Sequence, residues 1–167
     1  TAGGEPGHAY WQQKVDYKIK VALDEDKRRL TGSETISYQN NSPDTLKFLW
    51  LQLDQNIFRN DSIAEVTSTF GGKVPAAARG ADATKISLNQ LRRQQFMADN
   101  ELGYQILSVK DSKNADLKYT IVGTLMRIDL AKALKPDAST DFSIDFAYNL
   151  VEEDAVNARA GYEHFPK

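Results

Sequence analysis

The chain has 167 residues, enough for one domain and hardly for two. Its 21 basic residues against 23 acidic ones leave a net charge of -2, which argues against partners held mainly by phosphate backbones or anionic lipid. Cysteine is absent and histidine occurs only at His8 and His164, which excludes disulfides, thiolate nucleophiles and sulfur-ligated zinc and leaves no local histidine pair for a metal.

Residues 1–9 read as a flexible, glycine-rich tail. Strict alternation then begins: Val15, Tyr17, Ile19, Val21 and Leu23 share one face, Asp16, Lys18, Lys20 and Asp24 the other. Asp24-Glu25-Asp26-Lys27 is a polar turn, after which Leu30, Ile36 and Tyr38 alternate with Arg29, Thr31, Ser33, Thr35 and Ser37. Two such runs across a short polar turn predict an antiparallel hairpin with the apolar residues on its core side. Asn40-Asn41-Ser42-Pro43-Asp44 follows as a dense turn cluster. In the run from Leu46 to Leu53, Phe48, Leu49, Trp50 and Leu51 are consecutive, which predicts a strand covered on both faces.

From about Asn60 to Leu102 the alternation fails, and 64–102 reads as an irregular insertion carrying Gly71-Gly72 and Pro75. Within it, Ser87 with Gln90 forms a capping box and Ile86 with Leu91 a hydrophobic staple, predicting one short helix over about 88–98. Strands resume at Tyr104 to Lys110 and Leu117 to Val122, joined by the turn Asp111-Ser112-Lys113-Asn114. Met126, Ile128 and Leu130 alternate with Arg127 and Asp129. After the Leu134-Lys135-Pro136-Asp137 turn, Phe142, Ile144, Phe146, Tyr148 and Leu150 share one face against Asp141, Ser143, Asp145 and Asn149. Residues 151–167 form a polar tail with an aromatic cluster at Tyr162, His164 and Phe165. The expected fold is all-β, a mostly antiparallel, saddle-like sandwich with one short helix in an insertion.

Chemical motifs are sparse. No G-x-S-x-G elbow is present, and Gly71-Gly72-Lys73 lacks the first glycine of a phosphate loop and has Val74 where a hydroxyl belongs. Asp24, Glu25 and Asp26, like Glu152, Glu153 and Asp154, are explained by solvation in a turn and a tail. The glycosylation sequons Asn40-Asn41-Ser42 and Asn60-Asp61-Ser62 lie in predicted loops and mark exposure at most. No apolar run approaches the roughly 20 residues that a membrane helix needs.

Residues 10–56, with Gly32, Glu34, Ile36, Tyr38 and Asn40 in a G-x-E-x-I-x-Y-x-N strand and Leu46 to Leu53 after it, resemble the opening of gluzincin aminopeptidases, the alanyl-aminopeptidase and leukotriene-hydrolase-like zinc exopeptidases. Thr124 to Leu130 and the Leu134-Lys135-Pro136 turn resemble later strands of the same bacterial domain. The resemblance implies a single N-terminal β-domain over 1–167 that packs on a thermolysin-like catalytic domain and walls one side of a peptide-substrate cavity. The family's HExxH zinc motif and GxMEN loop are absent from this sequence. No catalytic, cofactor-binding or metal residue is therefore assigned to it; zinc is expected in the parent's catalytic domain, toward which 151–167 leads. The chain is expected to be a fragment cut before the catalytic half and non-enzymatic by itself; the sequence does not fix the parent's location, with export to the periplasm or outside the cell favoured over the cytoplasm. Its partners would be that catalytic domain and, for the parent, peptides; no nucleic-acid or membrane partner is expected. The alternatives are a free-standing β-sandwich binding module, for carbohydrate or protein adhesion, using Tyr10, Trp11 and Tyr162, and a hydrolase complete in itself.

Overall fold

The computed structural model describes residues 3, 5–7, 9–63, 88, 91, 95, 101–153, 161–163 and 165. β1 (Lys14–Asp24) and β2 (Arg29–Gln39) are long strands joined by a polar turn in which Asp24 Oδ1 accepts the Lys27 amide at 2.9 Å and Arg28 takes a positive φ of 51°. β3 (Leu46–Gln52) runs into a 3-10 turn at Asp54–Phe58. β4 (Gln105–Asp111), β5 (Tyr119–Val122), β6 (Leu125–Leu134) and β7 (Ser139–Asn149) complete the order. Gly123 (φ 58°) supplies the left-handed backbone that the two-residue β5–β6 connection needs.

The strands form a four-stranded sheet in the order β1-β2-β7-β4 and a three-stranded sheet in the order β3-β6-β5. β6 runs antiparallel to both neighbours, with Leu49 opposite Ile128 and Ile121 opposite Met126. β2 and β7, far apart in sequence, are neighbours in the four-stranded sheet, and just beyond their paired ends Asn40 N donates to Ala138 O and Asp137 N to Asn40 O. The fold is all-β with antiparallel sheets, as a β-sandwich requires. Of the predicted helix over 88–98, only Leu88, Leu91 and Gln95 are described; all three are helical and exposed, and the rest lies outside the described residues.

By its contacts the chain divides into two compact units. The first comprises Thr1–Ala22, Thr31–Gln52 and Ile106–Phe146. Its core gathers Ile36, Phe142 and Ile144 from the four-stranded sheet and Leu49, Met126 and Ile128 from the three-stranded one, each contributing roughly 1.5–3 kcal/mol through burial. Gly32 lies against the Phe146 ring, and a Cβ there would occupy the ring's space. Asn40, 0% exposed, joins three segments: Nδ2 donates to the carbonyls of Asp44 (2.7 Å) and Leu134 (3.2 Å), while Oδ1 accepts from Ser42 Oγ (2.7 Å) and Gln13 Nε2 (3.0 Å).

The second unit comprises Leu23–Leu30, Leu53–Gln105 and Ala147–Lys167. Its buried polar centre is Asn56, whose Oδ1 accepts the Tyr104 amide at 2.8 Å. Gly103 has a φ of 92° beside Asn56 and Arg59, a place where a side chain would be strained and crowded. Tyr104 and Tyr148 meet edge to face with centroids 5.1 Å apart.

Three expectations need correction. The apolar face of β1 is not on the core side, since Tyr17, Ile19, Val21 and Leu23 are all more than half exposed. β3 is covered on one face only: Leu49 is buried, and Phe48 and Trp50 are exposed. The first sequon does not mark exposure, because Asn40 and Ser42 are both buried. In each case local sequence pattern reports polarity, while exposure depends on what packs across the strand or turn.

Candidate interaction surface

Alternation along β3 sends Leu49 inward and turns Phe48, Trp50 and Gln52 to the other side of the three-stranded sheet. Register places Asp129 opposite Phe48 and Arg127 opposite Trp50, so both charged residues share that outer face. Arg127 Nε and Nη2 donate to Asp129 Oδ1 at 2.9 and 2.8 Å, and the guanidinium lies 4.1 Å from the Phe48 ring centroid. Phe48 and Trp50 pack edge to face at 6.2 Å. Cation–π contact and ion pair together fix Arg127 across the strands. Because both members are partly exposed, the ion pair itself contributes little stability, on the order of 0–1 kcal/mol.

The result is an apolar platform with its central charges already paired. Trp50 is 52% exposed, and Val122 and Leu125 extend the apolar area along the paired strands. Such a face can bury against another apolar surface without stranding an unpaired charge. A second apolar stripe runs along β1, the edge strand of the four-stranded sheet. Exposure there is 56% for Tyr17 and Ile19 and 60% for Val21. A long apolar edge strand open to water is a pairing liability in a protein that works alone.

The residues weighed for chemistry are dispersed. Among the described residues no group of three His, Cys, Asp or Glu side chains is arranged to hold a metal ion. His8 and His164 lie outside the described residues. Asp24 is held below the usual carboxylate range first by the Lys27 amide and then by its ammonium, which makes it a turn residue. Glu34, on β2, is pushed up by burial. Asp145 is held down by hydroxyl donation from Ser108 (2.8 Å) and Ser33.

Of the aromatics weighed for ligand stacking, Tyr10 and Trp11 are exposed. Tyr162 is not a free platform. The Arg28 guanidinium lies 4.3 Å from its ring centroid and Arg28 Nη1 donates to its hydroxyl at 2.8 Å. Its backbone bridges the chain at Glu152, with Tyr162 N donating to Val151 O at 2.9 Å. In the sequence the consecutive apolar run Phe48–Leu51 hides this platform, and the only local signal of an open face is the alternation of Arg127 and Asp129 with Met126 and Ile128.

No protein-family model and no curated protein matches the chain. Among solved structures it is similar to an M1 zinc metallopeptidase from Deinococcus radiodurans, bound to a Tyr-Ser-Ala substrate, with a TM-score of 0.45 and 8% identity over 82% of this chain and 21% of that one. A two-domain M1 zinc metallopeptidase bound to L-tryptophan matches at a TM-score of 0.47 and 9% identity, over 88% of this chain and 23% of the other. The chain thus spans less than a quarter of the length of these peptidases. Likeness at this level leaves its activity unassigned.

Proposed function

We propose that this chain is the non-catalytic N-terminal domain of a zinc-dependent aminopeptidase, buttressing the catalytic domain and walling one side of the peptide-substrate cavity. The observation that carries the reading is the Phe48–Trp50 face, an apolar surface with an internally neutralised ion pair and nothing from the described residues over it. A domain whose natural neighbour is another part of a larger protein is expected to leave such a face open.

The resemblance in sequence supports the same reading, and the motif residues have physical roles here. Gly32 admits the Phe146 ring, Ile36 enters the core, and Asn40 closes the turn that follows β2. In this proposal the catalytic domain holds the zinc and supplies a metal-activated water for attack on the scissile carbonyl. The residues described above are structural. Reading the coding sequence beyond Lys167 tests the proposal: an HExxH motif with a downstream glutamate is expected, and a stop codon or a continuation without that motif would sink it.

A further inference from the structure

β6 breaks register with β3 between two pairs: Phe48 lies opposite Asp129, yet Leu46 lies opposite Leu134. Leu130, Ala131, Lys132 and Ala133 therefore face the single residue Lys47, and β6 bows out of the ladder over this stretch. Such a bulge re-aims side chains, and here it forms one wall of a cleft of about 390 Å³. The other walls are the β4–β5 turn at Asp111–Lys113 and the start of β7 at Ser139–Asp141.

Charge in this cleft opposes that of the whole chain. Lys113, Lys132 and Lys135 line it, all three are exposed, and none makes an ion pair with a described residue. Its two carboxylates already accept protein donors. Asp111 Oδ1 takes the amides of Lys113 and Ala115 at 2.8 and 2.9 Å, and Asp141 Oδ1 takes the Ser37 hydroxyl at 2.5 Å. The lining also contains Leu117, Leu130 and Leu134. An isolated phosphate gains most from converging donors in a tight site, which this open, partly apolar cleft does not offer. Nucleic acid would require a longer basic track than three lysines on a chain of net charge -2. An extended peptide that alternates acidic and apolar side chains fits both features.

We propose that the cleft between the β6 bulge, the β4–β5 turn and the start of β7 docks an extended acidic–apolar segment of a partner protein, held by Lys113, Lys132 and Lys135. The inference rests on the cleft alone and stands whether or not the chain belongs to an aminopeptidase.

The test uses the 167-residue chain and a fluorescein-labelled peptide of repeating Glu-Leu-Ser, with a Lys-Leu-Ser peptide as its charge-reversed counterpart. Saturable, salt-sensitive anisotropy is expected for the acidic peptide and not for the basic one. Replacing Lys113, Lys132 and Lys135 together by Gln should weaken binding by roughly tenfold or more, at the usual strength of exposed charge contacts. Lys18→Gln/Lys20→Gln, which removes like charges from β1, should leave binding unchanged. Zero-length carbodiimide coupling on the unmodified chain provides a readout independent of how the variants fold, and cross-links are expected at the three cleft lysines. No binding, cross-links centred on other lysines, or full competition by inorganic pyrophosphate would overturn the proposal. So would a dimer that the peptide dissociates, which would make a second copy the occupant.

Discussion

Phe146 on β7 lies over Gly32 on β2, and its ring takes the space that a side chain at position 32 would fill. Both residues sit in the longest-range pairing of the four-stranded sheet, the meeting of β2 with β7. Gly32→Val should therefore overpack the core and destabilise the chain by roughly 1–3 kcal/mol. Shortening the ring in Gly32→Val/Phe146→Leu should recover part of that loss relative to additive single changes. Urea denaturation of the four proteins measures the coupling, and strictly additive effects would contradict the contact.

Asn40 is the second point at which distant segments meet. Asn40→Ala should cost roughly 1–3 kcal/mol, because it strips partners from buried groups on Ser42 and Leu134. Asn40→Asp keeps the shape but loses the Nδ2 donor and places a carboxylate at a fully buried position, so it should cost at least as much at pH 7. Thermal unfolding compares the two; an unchanged melting temperature for either would show that the hub is dispensable.

Glu34 is raised by burial, so its folded-state pKa lies above the unfolded value. The linked stability is fully present below the unfolded pKa and is lost as pH rises through the folded one. Glu34→Gln should then stabilise the chain at pH 7, with the gain fading as the pH falls toward the unfolded carboxylate value. Asp145, lowered chiefly by the Ser108 hydroxyl, has the opposite sign. Its contribution is present above the unfolded pKa and lost on acidification through the folded one. Denaturation midpoints collected from pH 3 to 8 separate the two slopes, and parallel profiles for Glu34→Gln and the parent chain would refute the assignment for Glu34.

Neighbouring residues on β3 should behave differently. Leu49→Ala should cost roughly 2–5 kcal/mol, the usual range for a truncated core leucine. Trp50→Ser, on the open face, should cost about 1 kcal/mol or less and reduce self-association of the isolated chain. Chemical denaturation and sedimentation measure the two effects. A Trp50→Ser variant as unstable as Leu49→Ala would mean that Trp50 is part of the core.

Much of the fold was legible because alternation is a local signal. The β1–β2 hairpin and the apolar face of β7, with Phe142, Ile144 and Phe146 buried, follow from period-two spacing and turn residues. What spacing cannot convey is which strand lies beside which. The β2–β7 pairing joins residues about a hundred positions apart, and nothing in either strand names the other. Nor does an apolar stripe state whether anything covers it, hence the reversals at Tyr17, Ile19 and Val21 and at Phe48 and Trp50. Asn40 was hidden for a related reason: a turn cluster predicts polarity, and its side chain turns inward because Gln13, Asp44 and Leu134 converge on it. Of the cleft lysines, Lys132 and Lys135 lie at the end of β6 and just past it, while Lys113 lies in the β4–β5 turn, and nothing in the sequence says that these two places adjoin.

The measurement that bears most directly on the account is made on the complete product of the gene, purified and assayed for zinc and for release of N-terminal residues from peptides. The expected result is stoichiometric zinc with chelator-sensitive aminopeptidase activity, and loss of that activity when the Trp50 face is disrupted by Trp50→Asp in a chain that remains folded. A complete product with neither zinc nor peptidase activity would contradict the account.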